Sequence, residues 1–253
     1  MFKTSLFLTN NDVKVEFVCT VPGLIDIEEC QPKPSQKFTP NWWKSMPVSE
    51  KHTDSPWNAE LTVKSCPSFP DFFSQGFIIP MWSDTLLKYD EESDRWSFRS
   101  GQTGSPFSWS AHPHSQFLNF VKDDVHHQGQ RGTIVFKAIS PWKLITPPGY
   151  SVYQLPLFYH FNNDFSVLPG IFPTDLNHEI NQTVLYHGNG KEVFIERGQP
   201  FVHYIPFKRT KYTAEIRNQT KEDEKVFNYH YVDLSSKFSG AFLARKRRAS
   251  REK

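Results

Sequence analysis

His112, Pro113 and His114 have the widest chemical reach in this sequence, because imidazoles one residue apart can share a metal ion when both project from one face of a strand. His126 and His127 follow closely. A full site of that kind also needs a carboxylate and a later histidine at matching spacing, or a His-X-Asp triplet for a mononuclear iron, and neither is in place. Pro113 favours a loop over a strand. His112 and His114 therefore read as loop imidazoles with hydrogen-bonding roles, with metal ligation as the alternative. His160, His178, His187 and His203 scatter along strand-like stretches, where a satisfied, partly buried imidazole is the usual outcome.

Nucleophilic catalysis has no anchor in sequence. There is no Gly-X-Ser-X-Gly elbow, no phosphate-binding Gly-Lys loop and no cysteine in a Cys/His setting. Cys19, Cys30 and Cys66 form an odd, unclustered set, so they read as reduced, partly buried thiols and not as a zinc site or disulfide scaffold. Asp71 and Asp84 flank an apolar, Gly-containing stretch and read as solvated turn carboxylates, with the lining of a pocket as the alternative. Trp42 and Trp43 lie in a Pro-rich segment, where adjacent indoles pin a loop to the body; a ligand-stacking platform is the other option.

Positive charge is local. The net charge is +2, yet the last nine residues hold six basic side chains and one acid. Arg245, Lys246, Arg247 and Arg248 are candidates for phosphate contact in a nucleic acid, and Lys208, Arg209 and Lys211 form a second cluster.

The elements that must position these groups are mostly strands. Aromatics make up 15% of the chain, enough for a core of large flat side chains, and the 19 prolines, none of them beyond residue 206, argue for short strands and fixed turns in the body. Val13, Val15, Phe17 and Cys19 alternate as in a half-buried strand, and Thr133 to Ile139 is another. The Pro147-Pro148-Gly149-Tyr150 segment has type II turn chemistry. A strand should follow with Tyr153, Leu155, Leu157, Tyr159 and Phe161 on its core face and Gln154 and His160 on the other. Residues 180–186 and 192–196 around Gly188-Asn189-Gly190 predict a hairpin. Phe201, His203, Ile205 and Phe207 should share a face, with Pro206 at a strand end or sheet edge. Val226, Phe227, Tyr231, Leu234, Phe238 and Phe242 recur at helical spacing. The expected organisation is a β-rich body over 1–212, an amphipathic helix over 213–244 and a basic tail over 245–253. The start lacks a signal-peptide pattern, and no apolar run reaches the ~20 residues of a membrane span, which predicts a protein that is neither secreted nor membrane-bound.

Three ordered segments carry a resemblance: Pro147-Pro148-Gly149-Tyr150, then Gly170 to Asp175, then Gly198 to Ile205. Their order and spacing resemble the motifs of the dUTPase and dCTP-deaminase group, which implies a β-clip over about 130–208 and, by analogy, a homotrimer. The resemblance places the group's Arg-Ser pair at Leu157 and Phe158, its catalytic Asp at Pro173 and its base-stacking Tyr at Leu176. None of these can orient water or hold phosphate. The group's glycine-rich C-terminal arm is also missing. Nearly the whole chain also resembles an uncharacterised family of tailed phages, including phages of cyanobacteria, and of some bacteria. The residues concerned are Pro40 to Lys44, Cys66-Pro67, His112-Pro113, Ser140-Pro141-Trp142, Thr146 to Ser151, Thr174-Asp175 and Gly198 to Arg209. That resemblance implies an infected bacterial cytoplasm or a virion as the setting.

The function expected on these grounds is non-catalytic binding or a structural role, through a mainly β, β-clip-like scaffold and the C-terminal helix, with no cofactor. Trp42, Trp43, Asp175, His203, Lys208 and Arg209 are its candidate ligand or partner surface. A protein partner or self-association is expected, and nucleic acid is a further partner through the tail. Two alternatives stand beside this: a nucleotide-binding or nucleotide-hydrolysing dUTPase-like protein with a diverged site, and a cupin-like metal protein using His112 and His114.

Overall fold

Short apolar runs interrupted by proline make short strands, and the computed structural model is accordingly mainly β, as expected. It describes residues 13–51, 59–66, 68–90, 95–101, 109–112, 116, 134–187 and 192–227. In chain order the strands are β1 (Glu16–Cys19), β2 (Lys33–Pro34), β3 (Ser49–Lys51), β4 (Ala59–Leu61), β5 (Phe77–Pro80), β6 (Thr85–Asp90), β7 (Arg95–Ser100) and β8 (Trp109–Ala111). There follow β9 (Ile134–Ala138), β10 (Trp142–Ile145), β11 (Tyr150–Leu155), β12 (Phe165–Val167), β13 (Gly170–Phe172), β14 (Gln182–Tyr186), β15 (Val193–Ile195) and β16 (Pro200–Lys208). Helices α1 (Asn41–Ser45) and α2 (Ser68–Phe73) lie between the early strands.

All named strand pairs are antiparallel. The main sheet has the order β13-β11-β16-β5-β2, and a second runs β12-β14-β9-β8. Smaller sheets are β15-β6-β7, β1-β10 and β3-β4. One hydrophobic cluster joins most of them: Ile79, Leu87, Trp109, Phe136, Leu144, Val152, Phe165, Val184, Ile195, Phe201 and Tyr204 are all buried in it. Val15–Arg209 is one compact unit, and residues 1–14 with 210–253 are another.

The three motif segments of the sequence meet in one sheet. The Pro-Gly turn leads into β11, which pairs with β13 on one side and with β16 on the other. The turn itself has the expected form: Tyr150 N–H donates to Pro147 O at 3.1 Å, and Gly149 has φ +83°, the left-handed value a type II turn needs.

Several expectations need correction. The strand after Tyr150 stops at Leu155, before the proline at 156, and does not run on to Phe161. Its faces are also inverted: Val152 and Gln154 are buried while Tyr153 is exposed. Gln154 tolerates burial because its Nε2 donates to Leu168 O (2.9 Å) and its Oε1 accepts from the Tyr204 hydroxyl (2.7 Å). Tyr153 stacks outside on Phe207, with ring centroids 4.2 Å apart. The predicted hairpin does not form either. β14 pairs with β12 and β9, and β15 pairs with β6, where the buried Val193 and Ile195 lie opposite Leu87 and Thr85; the turn residues Gly188, Asn189 and Gly190 lie outside the described residues. Pro206 behaves as expected: the β5 side of β16 is unpaired beyond Tyr204, which faces Phe77.

In the other unit, residues 210–220 carry no regular structure and a helix covers 221–227. The expected helix therefore starts later than 213. Thr220 caps it: its Oγ1 accepts from Asp223 N–H (3.2 Å), and the Asp223 carboxylate accepts from Thr220 N–H (2.9 Å), a reciprocal cap. The stripe residues Tyr231, Leu234, Phe238 and Phe242, and the basic tail at 245–253, lie outside the described residues. Among the described residues no helix is long and apolar enough to cross a membrane, and Cys19, Cys30 and Cys66 are free thiols.

Candidate functional site

The proline at 156 ends β11 and begins a loop of unusual composition, Pro-Leu-Phe-Tyr-His-Phe-Asn over 156–162. Tyr159 and Phe161 take φ values of 69° and 52°, a region aromatic side chains avoid at a cost of about 1–3 kcal/mol each. Neighbouring elements hold the loop there. Trp42, on α1, donates its indole N–H to Tyr159 O at 2.7 Å. Helix α2 presents Phe69, Phe72 and Phe73 at one-turn spacing, and their rings lie 5.1, 5.7 and 5.7 Å from that of Tyr159. Phe161 leans on Trp42 at 5.7 Å. Trp43 is buried, stacked on Phe69 at 5.1 Å.

His203 joins the same cluster from β16. Its ring meets Phe72 edge-on at 5.5 Å, and its Nε2–H donates to Gln75 O at 2.5 Å. Burial lowers its pKa, and burial together with His203 lowers that of His160. Trp42, Trp43 and His203, far apart in sequence, thus converge on one aromatic surface.

Behind the loop lies a cavity of about 390 Å³. Phe165, Val167 and Phe201, all buried, line it, together with Pro156, Leu157, Phe158 and Tyr159 from the loop. Phe161, 70% exposed, also borders it. The lining residues with polar side-chain groups are Tyr159, Asn162 and Ser166. Asn162 spends its Oδ1 on the N–H groups of Asp164 (2.9 Å) and Phe165 (3.3 Å). The Ser166 hydroxyl lies 2.7 Å from His187 Nε2, and burial lowers the pKa of that histidine. Sequence reasoning missed this pair, which meets only because β12 pairs with β14. Acyl transfer would also need a carboxylate on the other imidazole nitrogen and a set of oxyanion donors. Asp164 and His187 are bonded through the main chain, His187 N–H donating to Asp164 O (2.9 Å).

Asp175 and Arg209 meet elsewhere, at the end of β11 and β16 remote from the loop. Arg209 grips both Asp175 oxygens, at 2.7 and 2.5 Å, while Gly149 N–H donates to the same carboxylate at 2.8 Å. Arg209 also donates to Tyr150 O (2.8 Å) and Ser151 Oγ (2.9 Å). The guanidinium and the Gly149 N–H hold the Asp175 carboxyl at about 2. A carboxylate engaged in this way ties the Pro-Gly turn to the 173–177 turn and the end of β16. Lys208 is exposed beside it, opposite Tyr150.

The structure therefore splits the candidate surface into an aromatic group (Trp42, Trp43, His203) and a charged group (Asp175, Arg209, Lys208). His112 Nδ1 lies 2.8 Å from Gln116 Oε1, and its buried Nε2 has no partner among the described residues. His114 lies outside the described residues, as do Arg245, Lys246, Arg247 and Arg248. Asp84 serves a turn, its Oδ1 accepting from Arg197 N–H at 2.8 Å. Of the positions singled out by the dUTPase resemblance, Leu157 and Phe158 line the cavity, whereas Pro173 and Leu176 bracket Asp175 in its turn.

No family model matches this chain, and no curated protein matches it. Among solved structures the chain is similar to the native EIAV dUTPase at 11% identity and a TM-score of 0.31, over 58% of this chain and 86% of that one.

Proposed function

We propose that this protein works by binding, without catalysis, through a β-clip-type body whose aromatic loop at 156–162 is the contact surface. The observation that carries this is the chemistry of the concave site: among the described residues its lining is apolar except for the side chains of Tyr159, Asn162 and Ser166, and no carboxylate, ammonium or guanidinium lines it. Such a cavity buries apolar surface well and offers no strong charge to a triphosphate. A second support is that Asp175 and Arg209, an acid and a cation of the kind a pyrophosphatase uses, are committed to each other and to the Gly149 turn. The C-terminal helix and the basic tail are further contact elements in this proposal, the tail for nucleic acid and the helix for a protein partner or for self-association as a trimer. The phage setting belongs to the same proposal and rests on the sequence resemblance; mass spectrometry of purified particles from such a source tests it.

The test of the binding reading is a panel of nucleoside triphosphates with Mg²⁺, read by melting temperature and pyrophosphate release. No nucleotide is expected to move the melting point, because a ligand of the native state must stabilise it. Pyrophosphate release from dUTP or dCTP that is lost in Asp175→Asn would overturn the proposal. Mass photometry at micromolar concentration reads the trimer.

A further inference from the structure

We infer that the cavity behind the 156–162 loop is a binding site for a neutral aromatic molecule of one or two rings carrying a hydrogen-bond acceptor. The inference rests on the binding reading above and gives it a ligand class. Three observations carry it. The volume, about 390 Å³, falls in the range of pockets that enclose small organic ligands. The lining sets the chemistry: the rings of Phe158, Tyr159, Phe161, Phe165 and Phe201 offer edges and faces to another ring. A charged group seated against these rings would lose its hydration with no opposite charge among the described lining residues to replace it. Asn162 can serve an acceptor. Its Oδ1 is engaged by two main-chain N–H groups, which leaves its Nδ2 hydrogens as the donors it can offer a ligand.

The third observation is independent of lining and volume. Two aromatic residues of the cavity wall, Tyr159 and Phe161, sit at positive φ, and Phe161 is mostly exposed at the border. Strain of this sort persists where the surroundings impose it and gathers at ligand clamps. Here the Trp42 indole bond to Tyr159 O and the α2 rings impose it, and its effect is to place the Phe161 ring beside the cavity rather than in the core. A ligand ring seated against Phe161 would cover apolar surface that water now meets.

The experiment uses the purified full chain and three probes of similar size: acetophenone, indole and benzoate. Saturable binding is read by ligand-observed NMR and calorimetry. Acetophenone should bind with a dissociation constant on the order of 1 mM or tighter, the scale set by so few heavy atoms. Indole, a donor without a comparable acceptor, should bind several-fold more weakly, and benzoate should not saturate. Val167→Phe fills the cavity and should abolish the acetophenone signal. Phe161→Ala, at an exposed position, covers the case in which Val167→Phe does not fold, and should weaken binding about threefold or more. Absence of saturable binding to wild type, equal binding of benzoate, or binding unchanged in Phe161→Ala would overturn the inference. The nucleotide panel fails or succeeds separately: pyrophosphate release would sink the non-catalytic reading whether or not acetophenone binds.

Discussion

Asp175 shows how a residue type misleads without its neighbours. In sequence it is an acid in a turn, two residues from Pro173; in the fold it is the anchor of Arg209 and Gly149. Its pH behaviour follows from that contact. The folded pKa is depressed from 3.8 to about 2, so the stability it contributes is fully present above 3.8 and is lost as pH falls toward 2. Urea midpoints of wild type and Asp175→Asn should therefore differ by a constant amount at pH 5 and 7 and converge as the pH approaches 2. The histidines act in a different window. Burial lowers the pKa of His160, His187 and His203, so the folded state holds them neutral. Their contribution is complete above the unfolded value of 6.5 and declines as pH falls below it. Melting temperature should drop from pH 7.5 to 5, and His203→Gln, which loses one of these groups, should drop less steeply.

Elements are held in register by buried polar groups and by one close backbone approach. The Tyr204 hydroxyl links β16 to β11 and β14: it donates to Gln154 Oε1 at 2.7 Å and accepts from Gln182 Nε2 at 2.9 Å. Tyr204 is fully buried, and burial drives its pKa far above the ordinary phenol value. Tyr204→Phe leaves both glutamines short of a partner, and urea unfolding should show a loss of about 1–3 kcal/mol. Gly76 precedes β5 with φ +68°, and a Cβ there would sit 2.0 Å from Tyr204 O. Gly76→Ala combines backbone strain with that overlap, so about 3 kcal/mol or more should be lost and soluble yield should fall. Both predictions concern β16, whose two sides carry the site loop's strand and α2's neighbour β5.

At the scale of the whole molecule the described core lies within 15–209, and residues 210–220 are exposed without regular structure. A chain ending at Thr210 keeps Arg209 and every member of that core. Its melting temperature should stay within about 4 °C of the full chain, the shift ~1 kcal/mol makes in a domain of this size. A cooperative loss of folding on truncation would show that residues 15–209 do not fold by themselves. Deleting 245–253 should lower affinity for DNA and flatten its salt dependence, if the tail neutralises phosphates as proposed. Fluorescence anisotropy across a salt series measures both.

Mainly β architecture, the Pro-Gly turn, the anchored Trp42-Trp43 segment and the sheet-edge position of Pro206 were legible in the residues, because each depends on local sterics or on composition. The faces of β11, the partner of β15 and the aromatic site were not. Alternation along a strand says which residues share a face and leaves open which face is buried, and Gln154 went inside because Tyr204 and Leu168 supplied its bonds. Turn chemistry around Gly188 marks a reversal without naming the strand that will pair. The cavity and its loop draw on α1, α2, β12 and β16, so only long-range packing could bring Trp42, Phe72, Phe165 and Phe201 round residues 156–162.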